Sequence, residues 1–415
     1  MLHDASYRQF DFAEMEKIAR SLAEQNQFAN PYKIDTGPTA HHAPVYPFLL
    51  SLVFRAFGYG ATARMAQVSM NLVFISVALS LLPLLARNGG LPGATGIIAG
   101  VAAALLPIRF QKELRWEATL AALAVVFFIW LWITLLRGQT ASKLAVFGAG
   151  AGAGLCVLTS VALLPVAVAL TIGYGVRRSW RRAALTAAGI VAALLPWTVR
   201  NYVRLGGLVP VRSNGPLEIS QSFYDGVYPD VQHNEQVNFP NNQYHLRHPW
   251  SSEIEAQKVK QSGEIAYGRA RLSEAEAWIS AHRGETARLI AERFRESWFP
   301  PYPGSQVYKC VLTAPLTVYA LAGLIVMLRR ATDAALPFAA LWLLFPAVNY
   351  VVQSDTRFRY PLDWTEWFLC SYFFCQFAAT LHSRLRSVHH GDNGSRTDER
   401  YQTAGNQHRP EGQPV

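Results

Sequence analysis

Two carboxylates three residues apart, Asp11 and Glu14 in DFAEMEKIARSLAEQ, share one face of a helix and are the first groups in the chain able to act as a general base. A carboxylate at a membrane surface can take the proton of a hydroxyl or amine as that group attacks a sugar carbon. The same pair also fits a solvated helix face, since Glu16, Lys17 and Glu24 stand close by. Two later turns mix both signs of charge. PIRFQKELRWEATL holds Arg109, Lys112, Glu113, Arg115 and Glu117, and QSDTRFRYPLDWTEW holds Asp355, Arg357, Arg359, Asp363 and Glu366. Short connections on the outer side of a membrane normally avoid Lys and Arg, so two such clusters predict an anionic ligand at the outer leaflet. A lipid-linked phosphate suits them, because guanidinium presents a planar fork to phosphate oxygens. Snorkelling and headgroup contact are the bland alternative for any single arginine.

The histidines point elsewhere. His41 and His42 in TGPTAHHAPVYP are adjacent, and adjacent side chains point apart in most backbones, so a loop role is expected and no metal is assigned. His245 and His248 in QYHLRHPW lack an HExxH context and are read the same way. Walker A, GxGxxG and GxSxG patterns do not occur, which leaves nucleotide-dependent chemistry and serine hydrolysis without support. The four cysteines have no CxxC spacing and indicate neither a disulfide framework nor a zinc knuckle.

The elements that must position these groups follow from composition. The chain has 415 residues, 51% hydrophobic and 16% charged. Its mean hydropathy is only +0.12. That mixture implies division into apolar and polar parts. Setting aside 1–62, 200–307 and 383–415 as polar leaves residues for about nine spans of ~20 residues. They fall near 65–86, 94–110, 117–137, 144–158, 161–175, 183–199, 308–328, 333–352 and 363–382. The stretch 144–175 is too long for one helix and carries a polar Thr159-Ser160 step; basic residues on both flanks require it to enter and return.

With that choice Arg87, Arg137, Lys143, the arginines of RRSWRR, Arg329, Arg330, Arg384 and Arg386 share one side, which is then cytoplasmic. The surplus positive charge is thus a matter of orientation, and nucleic acid is not an expected partner. Nine passes put the N-terminus outside without an export element, so a further upstream helix is expected.

The polar parts are patterned too. Phe12, Met15, Ile18, Ala19 and Leu22 form a stripe with charges opposite, which predicts a helix lying on the membrane. YPFLLSLVFRAFG is too short to span and suits an interfacial helix. Residues 251–297 read as soluble helix, 212–250 as irregular, and the tail from 383 as cytoplasmic and disordered. The expected organisation is therefore an outer loop over 1–62, a six-pass bundle over 63–199, a large outer loop over 200–307, three passes over 308–382, and the tail.

The runs IARSLAEQNQF and TGPTAHHAPVYPFLLSLVFRAFG, then LLPWTVRNYVRLGGLVPVRSNGPLEI, then DTRFRYPLD, resemble the bacterial membrane glycosyltransferases of the family 39 type, relatives of protein O-mannosyltransferases and of the lipid A aminoarabinose transferase. The likeness extends over roughly residues 10–380. It implies an all-α polytopic GT-C fold, with amphipathic surface helices in the first outer loop and a large outer loop. It further implies transfer of a sugar from a polyprenyl-phosphate carrier to a lipid, glycan or protein acceptor, commonly with inversion, at the periplasmic face of the bacterial inner membrane.

Alignment on Ile18-Ala19 places Asp11 at the family's usual acid, while similar bacterial sequences carry the acid where Glu14 stands; both stay open. Glu117 matches a second acidic position. Arg357 and Arg359 match an RxRxP motif implied to handle the carrier phosphate, with Arg109 and Arg115 as further candidates. Tyr46, Arg200, Asn201 and Tyr360 are candidate loop or ligand contacts; for Arg200 and Asn201, closure of the membrane edge is an equal alternative. A divalent metal is optional, and no other cofactor is expected. The competing classes are a transporter or lipid flippase, which would need polar groups at mid-membrane, and a noncatalytic glycan-assembly protein.

Overall fold

The computed structural model describes residues 13–106, 114, 116–138, 141–231, 234, 243–299 and 307–405. Among these the regular structure is helical, with two isolated bridges, Ala29–Pro38 and Asp230–Ser354. Two helices open the chain. In α1 (Glu14–Gln25) Met15, Ile18 and Ala19 are buried, as the stripe predicts. One charge departs from that pattern. Glu16, expected on the solvated face, is buried and accepts from Arg64 Nη1 at 2.8 Å, because the helix is covered on two sides. In α2 (Val45–Phe57), Tyr46, Leu50 and Phe54 pack on Met15 and Ala19, whereas Phe48, Leu52 and Phe57 are exposed. That division suits a helix seated at a membrane interface.

The bundle follows. α3 (Ala61–Ser80) steps at Leu81 into α4 (Leu82–Asn88), where Pro83 in the first turn withholds an N–H and fits the break. Then come α5 (Gly93–Leu105), α6 (Ala118–Arg137), α7 (Lys143–Thr159), α8 (Leu163–Arg177) and α9 (Trp180–Leu205). Stretches Ala61–Asn88, Ala118–Arg137, Trp180–Leu205 and Val311–Arg329 are long and apolar enough to cross a membrane, and five shorter apolar helices accompany them. The chain is a multi-pass membrane protein. α6 is the central pillar, with Val125, Phe128, Ile129 and Trp132 fully buried.

The 144–175 stretch divides as its polar step predicts: α7 ends at Thr159, Ser160 is extended, and α8 starts at Leu163. α7 and α9 approach so closely that a methyl group on Gly150 would strike the Thr186 carbonyl, and one on Gly189 the Phe147 carbonyl. Hydrophobicity does not drive helices together inside lipid, so close backbone packing over small residues supplies the contact. Asn71 of α3, a polar residue within an apolar span, is fully satisfied. Its Nδ2 donates to Tyr46 Oη at 2.8 Å and Leu114 O at 2.7 Å, and its Oδ1 accepts from Thr119 at 3.0 Å.

The polar layer at one end of the bundle contains α10 (Gly215–Ser222), α11 (Gln243–Arg247), α12 (Glu253–Ser262), α13 (Glu264–Ala281) and α14 (Arg283–Trp298). The helical reading of 251–297 holds, and the irregular part carries the short α10 and α11. Buried Arg293 of α14 joins this layer to the bundle by donating to Ser222 O at 2.6 Å, Val351 O at 2.7 Å and Pro229 O at 3.3 Å. Burial lowers its pKa to about 10. α15 (Val307–Arg329), α16 (Ala335–Leu344) and α17 (Ala347–Val351) lead to α18 (Thr356–Gly405). Gly323 of α15 lies against the Leu369 carbonyl of α18. The tail corrects the sequence reading: the backbone stays helical to Gly405 through Gly391 and Gly394. A glycine costs a helix about 1 kcal/mol relative to alanine, which weakens propagation without ending it.

Candidate active site

Glu14 stands in the first turn of α1, and three histidines close on its carboxylate. His41 Nε2 lies 3.1 Å from Oε1, His42 Nε2 3.6 Å from Oε2, and His248 Nε2 3.7 Å from Oε1. The first approach has hydrogen-bond length without hydrogen-bond alignment, and among the described residues Glu14 Oε1 and His42 Nε2 are both buried with no hydrogen bond. His41 and His42 are buried, and Glu14 keeps 19% of its side-chain surface. Burial alone would raise the Glu14 pKa, but His41, His248 and His42 outweigh it and hold the carboxyl well below its usual range. The reciprocal effects split the histidines. Burial opposes the charge on His41, yet the Glu14 carboxylate raises its pKa on balance, whereas burial prevails at His42 and His248 and lowers theirs.

The loop before α2 is fixed from several directions. Tyr32 Oη lies 3.0 Å from His41 Nδ1. Arg212 Nε donates to His41 O at 3.1 Å, and the His41 N–H donates to Thr39 at 2.9 Å. Glu264, at the start of α13, accepts from the Ala40 N–H at 2.9 Å and from the hydroxyls of Thr39 and Ser213. Pro44 then caps α2. On the far side of the loop Arg200 donates to Phe28 O at 2.7 Å and to Thr39 O, and its guanidinium lies 4.9 Å from the Trp197 ring centroid. Asn201, fully buried, accepts from Arg200 at 2.9 Å and donates to Val209 O at 2.9 Å. This pair ties the loop to the C-terminal end of α9.

The two matched arginines occupy different environments. Arg357 is 34% exposed, 3.4 Å from Asp355 and 5.2 Å from the centroid of the Trp116 ring. Trp116 adjoins Glu117, which is half-buried and within electrostatic range of His42 and Tyr46. The start of α18, the N-terminal end of α6 and the Glu14 cluster thus form one neighbourhood. Arg359, 7% exposed, pairs with buried Glu366, donates to Ser297 O and Trp298 O at 2.8 Å each, and reaches Thr317 at 2.9 Å. Tyr46 is buried, its hydroxyl accepting from Gln67 and Asn71. Tyr360 lines a cavity of about 350 Å³ together with Leu72, Ile75, Leu316 and Trp367, with Asp363 and Glu366 at its polar side. Asp11, Arg109 and Arg115 lie outside the described residues.

The histidine cluster is what the sequence reading missed. His41 and His42 do not diverge: both Nε2 atoms reach the same carboxylate, and His248 joins them from more than 200 residues away. The paired HH downstream of the candidate carboxylate was the available signal.

No protein-family model matches the chain, and no curated protein sequence does either. Solved structures do. The oligosaccharyltransferase AglB from Archaeoglobus fulgidus, in complex with an inhibitory peptide and a dolichol-phosphate, matches at a TM-score of 0.51 and 14% identity, over 91% of this chain and 47% of that one. Its apo form gives 0.50 and 15%. ArnT from Cupriavidus metallidurans, bound to undecaprenyl phosphate, gives 0.37 and 12%, over 89% of this chain and 74% of that one. The chain spans about half the length of the archaeal enzyme and shares its GT-C membrane fold.

Proposed function

We propose that this protein transfers a sugar from a polyprenyl-phosphate-linked donor to an acceptor at the outer face of the bacterial inner membrane. One observation carries the reading. Arg357 stands one helical turn from Tyr360, so a guanidinium and an apolar cavity of about 350 Å³ share one side of α18. A polyprenyl phosphate has the matching division, an anionic head on an apolar tail. The archaeal oligosaccharyltransferase of the same fold, solved with a dolichol-phosphate, lends support.

In the reaction an acceptor oxygen or nitrogen bonds to the anomeric carbon while the carbon–oxygen bond to the carrier phosphate breaks. The phosphate leaves with the electron pair, and the acceptor proton passes to a carboxylate. Glu14 or Asp11 takes that proton, and Glu117 is the second acid of the neighbourhood. Arg357 stabilises charge on the departing phosphate, a role strengthened where water is excluded. Arg359, held by Glu366, Thr317 and two carbonyls, is assigned the positioning of α18 against α14 and α15. Arg200, Asn201 and Tyr46 shape the loop that bears the histidines.

The test is release of polyprenyl phosphate from a lipid-linked sugar by the protein reconstituted in lipid nanodiscs. The Glu14→Gln/Asp11→Asn double variant is expected to lose turnover by about 100-fold or more, the usual scale for a general base. Undiminished turnover would remove both carboxylates from the mechanism.

A further inference from the structure

We propose that the cleft between α9, the start of α2 and the loop over 26–44 binds one anionic membrane phospholipid, with its phosphate at Arg204 and Arg200 and an acyl chain running over Phe48 onto the bare face of α9. The inference goes beyond the transfer reading and does not rest on it.

The cleft is built and cationic. Its volume is about 570 Å³, inside the roughly 300–1,000 Å³ of small-ligand sites. Its floor is fixed: Phe28 meets the Trp197 ring edge-on with centroids 4.9 Å apart, and the Arg200 guanidinium lies 5.4 and 4.9 Å from the two centroids. Arg200 spends Nη1 and Nη2 on Thr39 O, Asn201 and Phe28 O, so it brings charge to the cleft more than free N–H groups. Arg204, one turn further along α9 and within electrostatic range of Arg200, is exposed. Among the described residues it makes no hydrogen bond or ion pair. No carboxylate among the described residues lines the cleft. Glu264, an acid within range of Arg200, is engaged by Thr39, Ala40 and Ser213. Two guanidiniums without an acid of their own in the cleft call for an anion, and phosphate oxygens suit their geometry.

Depth and apolar walls select a lipid. α9 is long and apolar enough to cross a membrane, and the cleft opens on its last turns, beside Trp197 and Tyr202, residue types that favour the headgroup level. Leu195, Val199 and Val203, four residues apart, form an exposed apolar stripe next to the one that carries Arg200 and Arg204. Phe48, in the wall of the cleft, is exposed as well. A phospholipid has this division of charge and hydrocarbon, whereas a free phosphate would leave the apolar half bare. The cavity beside Tyr360 is formed on α3, α5, α15 and α18 and shares no residue with this cleft, so the two are separate lipid sites. A lipid seated between α9 and α2 would brace the loop that carries His41 and His42, because Phe28, Pro38 and Pro44 belong to the cleft wall.

The experiment uses the full chain, delipidated in detergent and titrated with dioctanoyl phosphatidylglycerol. Binding is read by calorimetry and by the unfolding midpoint. One phosphatidylglycerol per chain is expected, with a raised midpoint. Zwitterionic dioctanoyl phosphatidylcholine and inorganic phosphate should each bind at least about 10-fold more weakly. Arg204→Gln should weaken phosphatidylglycerol binding by about 10-fold or more, the loss of one charged hydrogen bond. Phe48→Ser should weaken it by about 5-fold. Arg181→Gln, which removes an equal charge from an exposed position at the other end of α9, should bind like the wild type, as should Arg357→Ala. Gel filtration checks that each variant is folded. If the variants do not fold, the wild type decides alone: equal affinity for phosphatidylglycerol and phosphatidylcholine overturns the proposal. Unchanged affinity in Arg204→Gln overturns it as well. So does one-for-one displacement by a polyprenyl phosphate, which would make the cleft a donor site. Since the readout is phospholipid bound and not polyprenyl phosphate released, failure of one proposal is distinguishable from failure of the other.

Discussion

Replacing Arg357 and Arg359 separately should damage the protein in two different ways, although the residues sit two apart in one motif. Arg359 is 7% exposed and its partner Glu366 3%, so Arg359→Ala leaves a carboxylate buried and unpaired. Removing one member of a buried pair costs about 3–5 kcal/mol. That is a large part of the stability of an ordinary domain. Arg357 is 34% exposed, with Asp355 at 3.4 Å, and its loss strands no deeply buried charge. On the proposed donor role, Arg357→Ala removes a charged hydrogen bond to phosphate. Such bonds contribute about 1.5–3 kcal/mol, and partial exposure places this one in the lower half of that range, roughly 10- to 40-fold in donor affinity. The assays are thermal unfolding in detergent and the donor KM for polyprenyl phosphate release. Arg359→Ala should lower the unfolding midpoint with little change in the KM of the folded fraction. Arg357→Ala should do the reverse. Arg359→Met/Glu366→Met should recover most of the midpoint, since no lone charge remains. An unchanged midpoint in Arg359→Ala, together with a KM raised as far as in Arg357→Ala, would refute this division of labour.

Two further outcomes are expected. Gly189→Leu should destabilise the bundle by about 1–3 kcal/mol or more, because its side chain would enter the backbone of α7; Gly148→Leu, where no atom lies within 4 Å of the added carbon, should not. Equal thermal inactivation rates for the two would discount the close helix contact. Glu296 has its pKa raised by burial, so the folded state favours its protonated form. Stability from that group is fully present below the unfolded pKa and falls as pH rises through the higher folded value. The unfolding midpoint of Glu296→Gln should therefore gain on the wild type as pH increases across this range, and a pH-independent difference would count against it.

Much of the fold was legible because membrane helices are written in local composition. Among the described residues each of the nine apolar segments carries helix, and the step at Thr159-Ser160 was readable from charge on its flanks. The stripe of α1 was readable in its period, but the inward turn of Glu16 was not, since its partner Arg64 lies 48 residues away. The same limit hid the histidines. Nothing local to HHAP indicates that both rings turn onto Glu14, because the loop path is set by Glu264 and Arg212 far along the chain. RxRxP likewise treats its two arginines alike, and only burial separates them.

The attachment of Thr39 and Ala40 to Glu264 also has a consequence for biogenesis. The donors precede the acceptor by 225 and 224 residues. A ribosome that has delivered the first loop must still thread the apolar helices α3 through α9 before this carboxylate and His248 emerge. Until then the histidine pair lacks both its anchor and its third neighbour. The neighbourhood of Glu14 is assembled late, after α3 through α9 have been inserted, so a chain stalled during insertion would carry every residue of α1 and α2 without these partners.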